Sequence, residues 1–367
     1  MANDCILPAA IEANWKRRFR QRLLKWYASH RRDLPWRRSK NPYRVWLSEV
    51  MLQQTQVETV KPYFQRFVKA FPTVKKLAAA DEQQVLRLWE GLGYYRRARQ
   101  LHAAARQVVA EFGGRFPDDV AALQSLPGIG RYTAGAIASI AFDRRAPILE
   151  TNTVRLFARL LAYRDDPMKA AGQRMLWQAA EAVLPRKDVA PFNQALMELG
   201  SLVCTSAKPG CDRCPVALLC ATNELGLQQS IPRAAKKTKF LDVSEAAVVV
   251  RKNGKVLMRQ CAPDERWAGL WDFPRFEIES EGPLFVREEL ISKVRQQTGI
   301  EVQPGGLLKT IKHGVTRYRI TLDCYEAAYL SGRVSSTRLQ PVSWLSPQQL
   351  LDLPLSTTGR RIARLIA

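Results

Sequence analysis

No apolar run in this chain approaches the length needed to cross a bilayer. The N-terminus carries Asp4 and Glu12 and has no uninterrupted apolar stretch of the kind that leads proteins into secretion. Both absences point to an intracellular, cytoplasmic protein. Internal repeats and low-complexity tracts are missing as well. Acidic residues are in short supply: 57 Lys and Arg face 34 Asp and Glu, giving +23 without a basic tail. Such a field attracts a polyanion, and helical DNA is the commonest one. Charge alone leaves a ribosomal or membrane-surface protein open. At 367 residues with 46% hydrophobic content, two packed domains are expected.

What is present begins with seven cysteines, an odd number that suits a reducing compartment. Four of them, Cys204, Cys211, Cys214 and Cys220, are separated by six, two and five residues. Structural zinc sites usually show two short pairs, and only Cys211 and Cys214 form one, so zinc fits poorly. Four thiolates around a cubane [4Fe-4S] cluster fit better, because wide flanking gaps let one loop reach a bulkier core. Buried or disulfide-paired cysteines are the bland alternative. Cys5, Cys261 and Cys324 read as plain small apolar residues.

The text changes character near residues 225–240. Before it, helical periodicity runs through Trp15 to Tyr27, Tyr43 to Phe71, Asp81 to Phe112 and Arg131 to Phe142. The stretch GLQQSIPRAAKKTKF is polar and basic and reads as a linker. Beyond it, Ala246 to Arg251 and Val256 to Gln260 flank Lys252-Asn253-Gly254-Lys255, a hairpin signal because Asn-Gly suits a type I′ turn. A helix near Leu284 to Thr298, strands through Leu307 to Leu330 and a helix from Thr357 complete an α/β module.

Leu126-Pro127-Gly128-Ile129-Gly130 lies between two helical segments. Glycines there let backbone N–H groups approach a phosphate, and the helix beginning near Arg131 offers its positive end. The motif resembles the hairpin of helix-hairpin-helix DNA-binding proteins. With the four-cysteine loop downstream, the chain resembles the endonuclease III superfamily of DNA glycosylases. Trp46-Leu47-Ser48-Glu49-Val50-Met51-Leu52-Gln53-Gln54-Thr55-Gln56, Leu34-Pro35-Trp36 and Gly91-Leu92-Gly93-Tyr94-Tyr95 narrow this further. They are similar to the MutY-type adenine DNA glycosylases over nearly all of the N-terminal half and more weakly over the C-terminal module. The resemblance implies removal of adenine mispaired with 8-oxoguanine, by a helical catalytic domain and a C-terminal domain that reads the oxidised guanine.

Breaking a purine N-glycosidic bond requires protonating the leaving base and stabilising positive charge on the sugar, as in O-glycoside hydrolysis. Glu49, inside an apolar helical run, is the candidate acid, since burial raises a carboxyl pKa. The resemblance assigns it N7 of the adenine. Tyr132 stands where a bifunctional relative would carry a Schiff-base lysine, so no lyase step is expected. The second carboxylate departs from the family, which has Asp-Gly where this chain has Glu150-Thr151, just before Asn152. The extra methylene moves the carboxylate by about 1.5 Å. Either the pocket has adjusted, with Glu49, Tyr132 and Asn152 retained, or the site is weakened.

Gln53 and Tyr94 match family positions that wedge into the duplex when the base is extruded. The resemblance places Arg32, Trp36, Leu52, Gln54 and Gln194 in the adenine pocket, although Trp36 and Leu52 would serve equally as core. In the C-terminal module, Trp267-Ala268-Gly269-Leu270-Trp271-Asp272-Phe273-Pro274 resembles the MutT-like (Nudix) domain of the same enzymes. Lys293, Gln296 and Gln297 precede Gly299 where a hydrolytic Nudix box needs glutamates for magnesium, so recognition alone is expected. The family's Phe-Ser-His lesion-reading loop aligns with Val315-Thr316-Arg317. Thr316 keeps a hydroxyl, and Arg317 has phosphate or guanine acceptors as candidate partners, or none.

The expected fold is multidomain: an all-α helix-hairpin-helix glycosylase domain over 1–224 with a [4Fe-4S] loop at 204–220, a basic linker over 225–240, and an α/β Nudix-like domain over 241–367. The expected function is monofunctional excision of adenine opposite 8-oxoguanine or guanine, by a monomer acting on double-stranded DNA. The alternatives are a glycosylase of this fold acting on another mismatched base such as thymine, and a noncatalytic iron-sulfur protein that binds damaged DNA.

Overall fold

The computed structural model describes residues 12–233, 239–280, 282–337 and 340–366. Asp4, Cys5 and residues 234–238 of the expected linker lie outside the described residues. By its contacts the chain divides into two compact units. One comprises Met1–Ala79 and Gln100–Lys236; the other comprises Ala80–Arg99 and Lys237–Ala367. The sheet-bearing unit therefore takes in a segment, 80–99, that reads as part of the helical half.

The first unit is helical. Trp15 to Tyr27 lies within a helix over Ala13–His30, which buries Phe19, Leu23, Trp26 and Tyr27. These pack with residues of the helices Thr151–Leu160, Ala170–Val183 and Val189–Leu202 in one apolar core. The stretch Tyr43 to Phe71 is two helices, Pro42–Leu52 and Val57–Ala70. The break falls where Gln54 takes a left-handed backbone, φ 54°, which no helix can absorb. Likewise Asp81 to Phe112 divides into Glu82–Trp89 and Arg96–Phe112 around the Gly91-Leu92-Gly93-Tyr94 turn. Periodicity carries across such breaks because the burying face resumes after them. The helix Arg131–Phe142 has the bounds expected.

The second unit holds a mixed sheet of β1 (Leu241–Lys252), β2 (Lys255–Gln260), β3 (Trp271–Asp272), β4 (Arg275–Glu277), β5 (Ile300–Val315), β6 (Tyr318–Gly332) and β7 (Val342–Leu345). Its order is β3-β2-β1-β6-β5, with β4 on β1 and β7 on β2. The β1–β6 pairing is parallel and the others are antiparallel. Asn253 and Gly254 both have positive φ, 46° and 71°, the geometry a type I′ turn requires. One face packs with helix Thr357–Ile366 and the other with helix Pro283–Thr298. β5 starts at Ile300, earlier than Leu307, because Gly299 ends the preceding helix in the left-handed region at φ 74°. Cys261 and Cys324 are buried.

Candidate active site and cluster loop

Asn41 caps the helix Pro42–Leu52, its side chain accepting from the Tyr43 and Arg44 amides at 3.0 and 3.3 Å, and Pro42 occupies the first turn. The helix is buried from Tyr43 to Met51 on almost every side, so Glu49 has little water, 6% exposed. Burial drives its carboxyl from 4.5 up to about 7, with the nearby Glu150 charge adding to the rise. A hydrogen bond donated by the Tyr132 hydroxyl to Glu49 Oε2, and the Arg37 charge, pull the other way. Burial and the adjacent carboxylates raise the Tyr132 phenol well above its ordinary value, so Tyr132 stays a donor.

Tyr132 is the second residue of the helix Arg131–Phe142, whose first internal bond runs from Ala134 N to Gly130 O. Gly130 is the N-cap and Gly128 turns the preceding loop at φ 76°. The amides of the first turn therefore have no carbonyl within the helix and face outward as anion donors. Gly135 in the same helix admits the chain at Pro147, whose carbonyl oxygen would clash with any Cβ there. That close approach holds the chain leading into Glu150 against the helix that carries Tyr132.

Glu150 caps the helix Thr151–Leu160, accepting from Asn152 N at 2.8 Å and Thr153 N at 3.0 Å. Thr153 Oγ1 accepts from the Glu150 amide at 2.7 Å to complete the capping box. Caps are normally short side chains; here the longer glutamate still reaches both amides. Burial raises its pKa, against the pull of these two amides, Arg155 and the Asn152 side chain. Asn152 Nδ2 donates to Glu150 Oε2 at 3.2 Å, and Asn152 Oδ1 accepts from Arg155 Nη2 at 2.9 Å. Arg155 Nε in turn donates to the Cys204 carbonyl at 2.7 Å, tying the carboxylate to the cysteine loop.

Glu49, Tyr132, Glu150 and Asn152 line one cavity of 670 Å³, together with Arg32, Trp36, Leu52, Gln53, Gln54 and Gln194. Trp36 is buried against Phe64 at 5.5 Å, edge to face. Gln194 Oε1 accepts from Tyr27 at 2.6 Å, so its Nε2 is the atom left for a ligand. Arg32 lines the cavity as expected and is also tied to a partner that the sequence did not suggest. Its fork is locked on Glu198 at 2.9 and 2.8 Å, with Arg37 on the same carboxylate at 2.8 Å. Burial opposes the Glu198 charge, but these bonds outweigh it and hold the carboxyl at about 2. Glu198 and Arg37 are cavity residues that sequence reasoning missed. A lone acid in the apolar helix Val189–Leu202 was the available signal, the same one that singles out Glu49.

Tyr94, Thr316 and Arg317 belong to the second unit and do not line this cavity. Tyr94 is exposed, and Thr316 and Arg317 form the exposed tip of the β5–β6 hairpin, where Val315 pairs with Tyr318. Thr316 is left-handed at φ 52°, strained for a β-branched residue, and its hydroxyl donates to the Val315 carbonyl at 2.7 Å. Arg317 lies over the Tyr318 ring at 5.4 Å.

Cys204, Cys211, Cys214 and Cys220 line a second, small cavity, and none is in a disulfide. Among the described residues no three His, Cys, Asp or Glu side chains gather tightly enough for a single metal ion. These four cysteines border one common space. Burial pushes Cys214 up to about 12 and Cys220 to about 11 in the protein alone, so thiolates here need a cationic core. Buried Arg159 adds positive charge, with Nη1 3.5 Å from Cys204 Sγ. The donor set fits an iron-sulfur cluster. Arg159 also binds the carbonyls of Gln228 and Ile231, so the start of the expected linker is fastened to this loop.

An adenine DNA glycosylase of Rattus norvegicus is 33% identical over 398 residues, covering 94% of this chain and 77% of that protein. The chain belongs to the adenine DNA glycosylase family. The Homo sapiens adenine DNA glycosylase is also 33% identical, over 94% of this chain and 73% of its own length. Residues 47–182 match the HhH-GPD superfamily of base excision DNA repair proteins, and residues 245–365 match the Nudix domain. Among solved structures, a thermostable thymine-DNA glycosylase superposes with TM-score 0.54 at 28% identity, over 58% of this chain and 98% of that one. Family membership makes the chain a base-excision repair glycosylase, a hydrolase of N-glycosyl bonds with DNA as its substrate. No helix among the described residues is long and apolar enough to cross a membrane.

Proposed function

We propose that this glycosylase removes adenine mispaired with 8-oxoguanine or guanine and that it does so without a lyase step. The observation that carries the reading is the Glu49–Tyr132 pair. A carboxyl with a pKa of about 7 sits in a cavity of base-binding size beside a phenol, where a Schiff-base enzyme needs an amine. No lysine is among the residues lining that cavity. Protonated Glu49 gives its proton to N7, the C1′–N9 bond breaks with its electrons passing to the base, and adenine leaves neutral. Glu150, anchored at a helix N-terminus, stabilises the sugar cation electrostatically. Water then adds at C1′ and its proton is released, leaving an abasic site with the strand intact.

Gln194, Trp36 and Leu52 hold the flipped base, while Arg32 and Arg37 keep Glu198 ionised in the pocket wall. Gln53 and Tyr94 are the groups offered to the opened stack. The hairpin tip Thr316-Arg317 meets the opposite base with one hydroxyl and one guanidinium. Cys204, Cys211, Cys214 and Cys220 would hold a [4Fe-4S] cluster, which would cross-link the loop that Arg155 joins to Asn152. The test is strand integrity on an adenine:8-oxoguanine duplex. Breaks should arise only after alkali, and borohydride should trap no covalent complex. Cleavage without alkali, with a trapped adduct, would overturn the monofunctional reading.

A further inference from the structure

The exposed aromatic Tyr94 sits on a six-residue turn whose fixation is unusual. Its backbone is left-handed at φ 48° and its side chain is 51% exposed. Such a residue is held only where its neighbours over-determine it. Arg97 does part of this, donating to Leu92 O and Gly93 O at 3.2 Å, with its guanidinium 5.6 Å from the Tyr94 ring. The rest comes from the Nudix part of the same unit. Glu90, which ends the helix Glu82–Trp89 and opens the turn, accepts both arms of Arg360, from Nε at 2.7 Å and Nη2 at 2.9 Å. Arg360 is 8% exposed and also donates to Leu350 O at 2.8 Å and Leu353 O at 2.6 Å. Leu355 N donates to Glu90 Oε2 at 3.3 Å, and the Tyr95 hydroxyl donates to Leu355 O at 3.2 Å. The Gly91 amide closes the set on the Tyr95 hydroxyl at 3.4 Å. Gln83 and Arg99 grip the carbonyls of Gly269 and Ala268 from either side of the turn.

We propose that Glu90 and Arg360 are positioning residues for Tyr94, a bidentate lock that sets the wedge on the C-terminal helix Thr357–Ile366 of the Nudix module. Two groups that meet DNA, the aromatic of the turn and the Thr316-Arg317 tip, then belong to one compact unit. Opposite-base recognition and base extrusion become parts of a single docking event. A bidentate Arg–carboxylate pair suits this, since it fixes orientation as well as distance. This inference rests on the proposed adenine excision.

The experiment is a double-mutant cycle between Glu90→Gln and Tyr94→Ala in the full chain. It is read by 2-aminopurine fluorescence at the target position, by single-turnover excision and by Kd. Glu90→Gln should slow extrusion on the order of tenfold while Kd moves by less than about threefold, because displacement rather than contact is lost. On the Tyr94→Ala background it should cost nothing further. Tyr95→Phe, a milder change to the same turn, should behave alike, and the reversed pair Glu90→Arg with Arg360→Glu should recover part of the rate. Additive effects, or a loss confined to Kd, would overturn the lock. A parent protein that excises no adenine would instead defeat the functional reading beneath it.

Discussion

Tyr132→Phe should shift the pH–rate profile of this enzyme towards alkaline pH. Glu49 must be protonated to act, and its pKa of about 7 is a balance between burial, which raises it, and the Tyr132 hydroxyl bond, which lowers it. A hydrogen bond to a charged group is worth about 1.5–3 kcal/mol. At about 1.4 kcal/mol per pKa unit, losing it lifts Glu49 by about one unit or more. At pH 8 the protonated fraction then rises from about one tenth to about one half. The ratio of variant to parent single-turnover rates should climb roughly fivefold between pH 6 and pH 8. Any pH-independent contribution of the phenol cancels in that trend. A ratio that is flat, or that falls with pH, refutes the argument. The same shift bears on stability. A raised carboxyl pKa favours the fold fully below about 4.5, and this contribution is lost as pH rises through about 7, about 3 kcal/mol in all. Glu49→Gln should therefore be inactive yet melt higher than the parent at pH 8, with the gap narrowing towards pH 5.

Glu150→Gln should keep DNA affinity and lose excision by about 10² to 10³, since the amide retains a capping oxygen but no charge. Glu150→Asp should do no better than the parent if the pocket is fitted to glutamate; a rate increase, with or without Thr151→Gly, would mean a decayed site. Purified protein should be yellow-brown and contain iron, and Cys211→Ser should lose colour and DNA affinity together; colourless active protein with stoichiometric zinc contradicts the cluster. Thr316→Gly should relieve the left-handed strain at the hairpin tip and raise thermal stability slightly, yet reduce preference for 8-oxoguanine over guanine. Unchanged preference would place lesion reading elsewhere.

Much of the site was legible because its members announce themselves locally. Glu49 is a charge in an apolar helix, and the four cysteines carry their spacing with them. Other members were hidden because their role depends on helices far apart in the chain. Arg32 reads as a pocket residue, but nothing near it announces its bond to Glu198, 166 residues later. Nothing local to Glu90 foretells Arg360, which lies 270 residues away. The helix breaks at Gln53–Gln56 and Glu90–Tyr95 escaped periodicity for a related reason. A left-handed Gln or Tyr is a cost that only the assembled fold can offset, so the sequence around it looks helical.

The decisive measurement is the identity of the base released, by mass spectrometry, from a pool of duplexes carrying A:8-oxoguanine, A:G, T:G and U:G in a single turnover. Free adenine is expected from the first two, fastest opposite 8-oxoguanine, and none with Glu49→Gln. Released thymine or uracil, or binding to all four with no base released, would contradict that expectation.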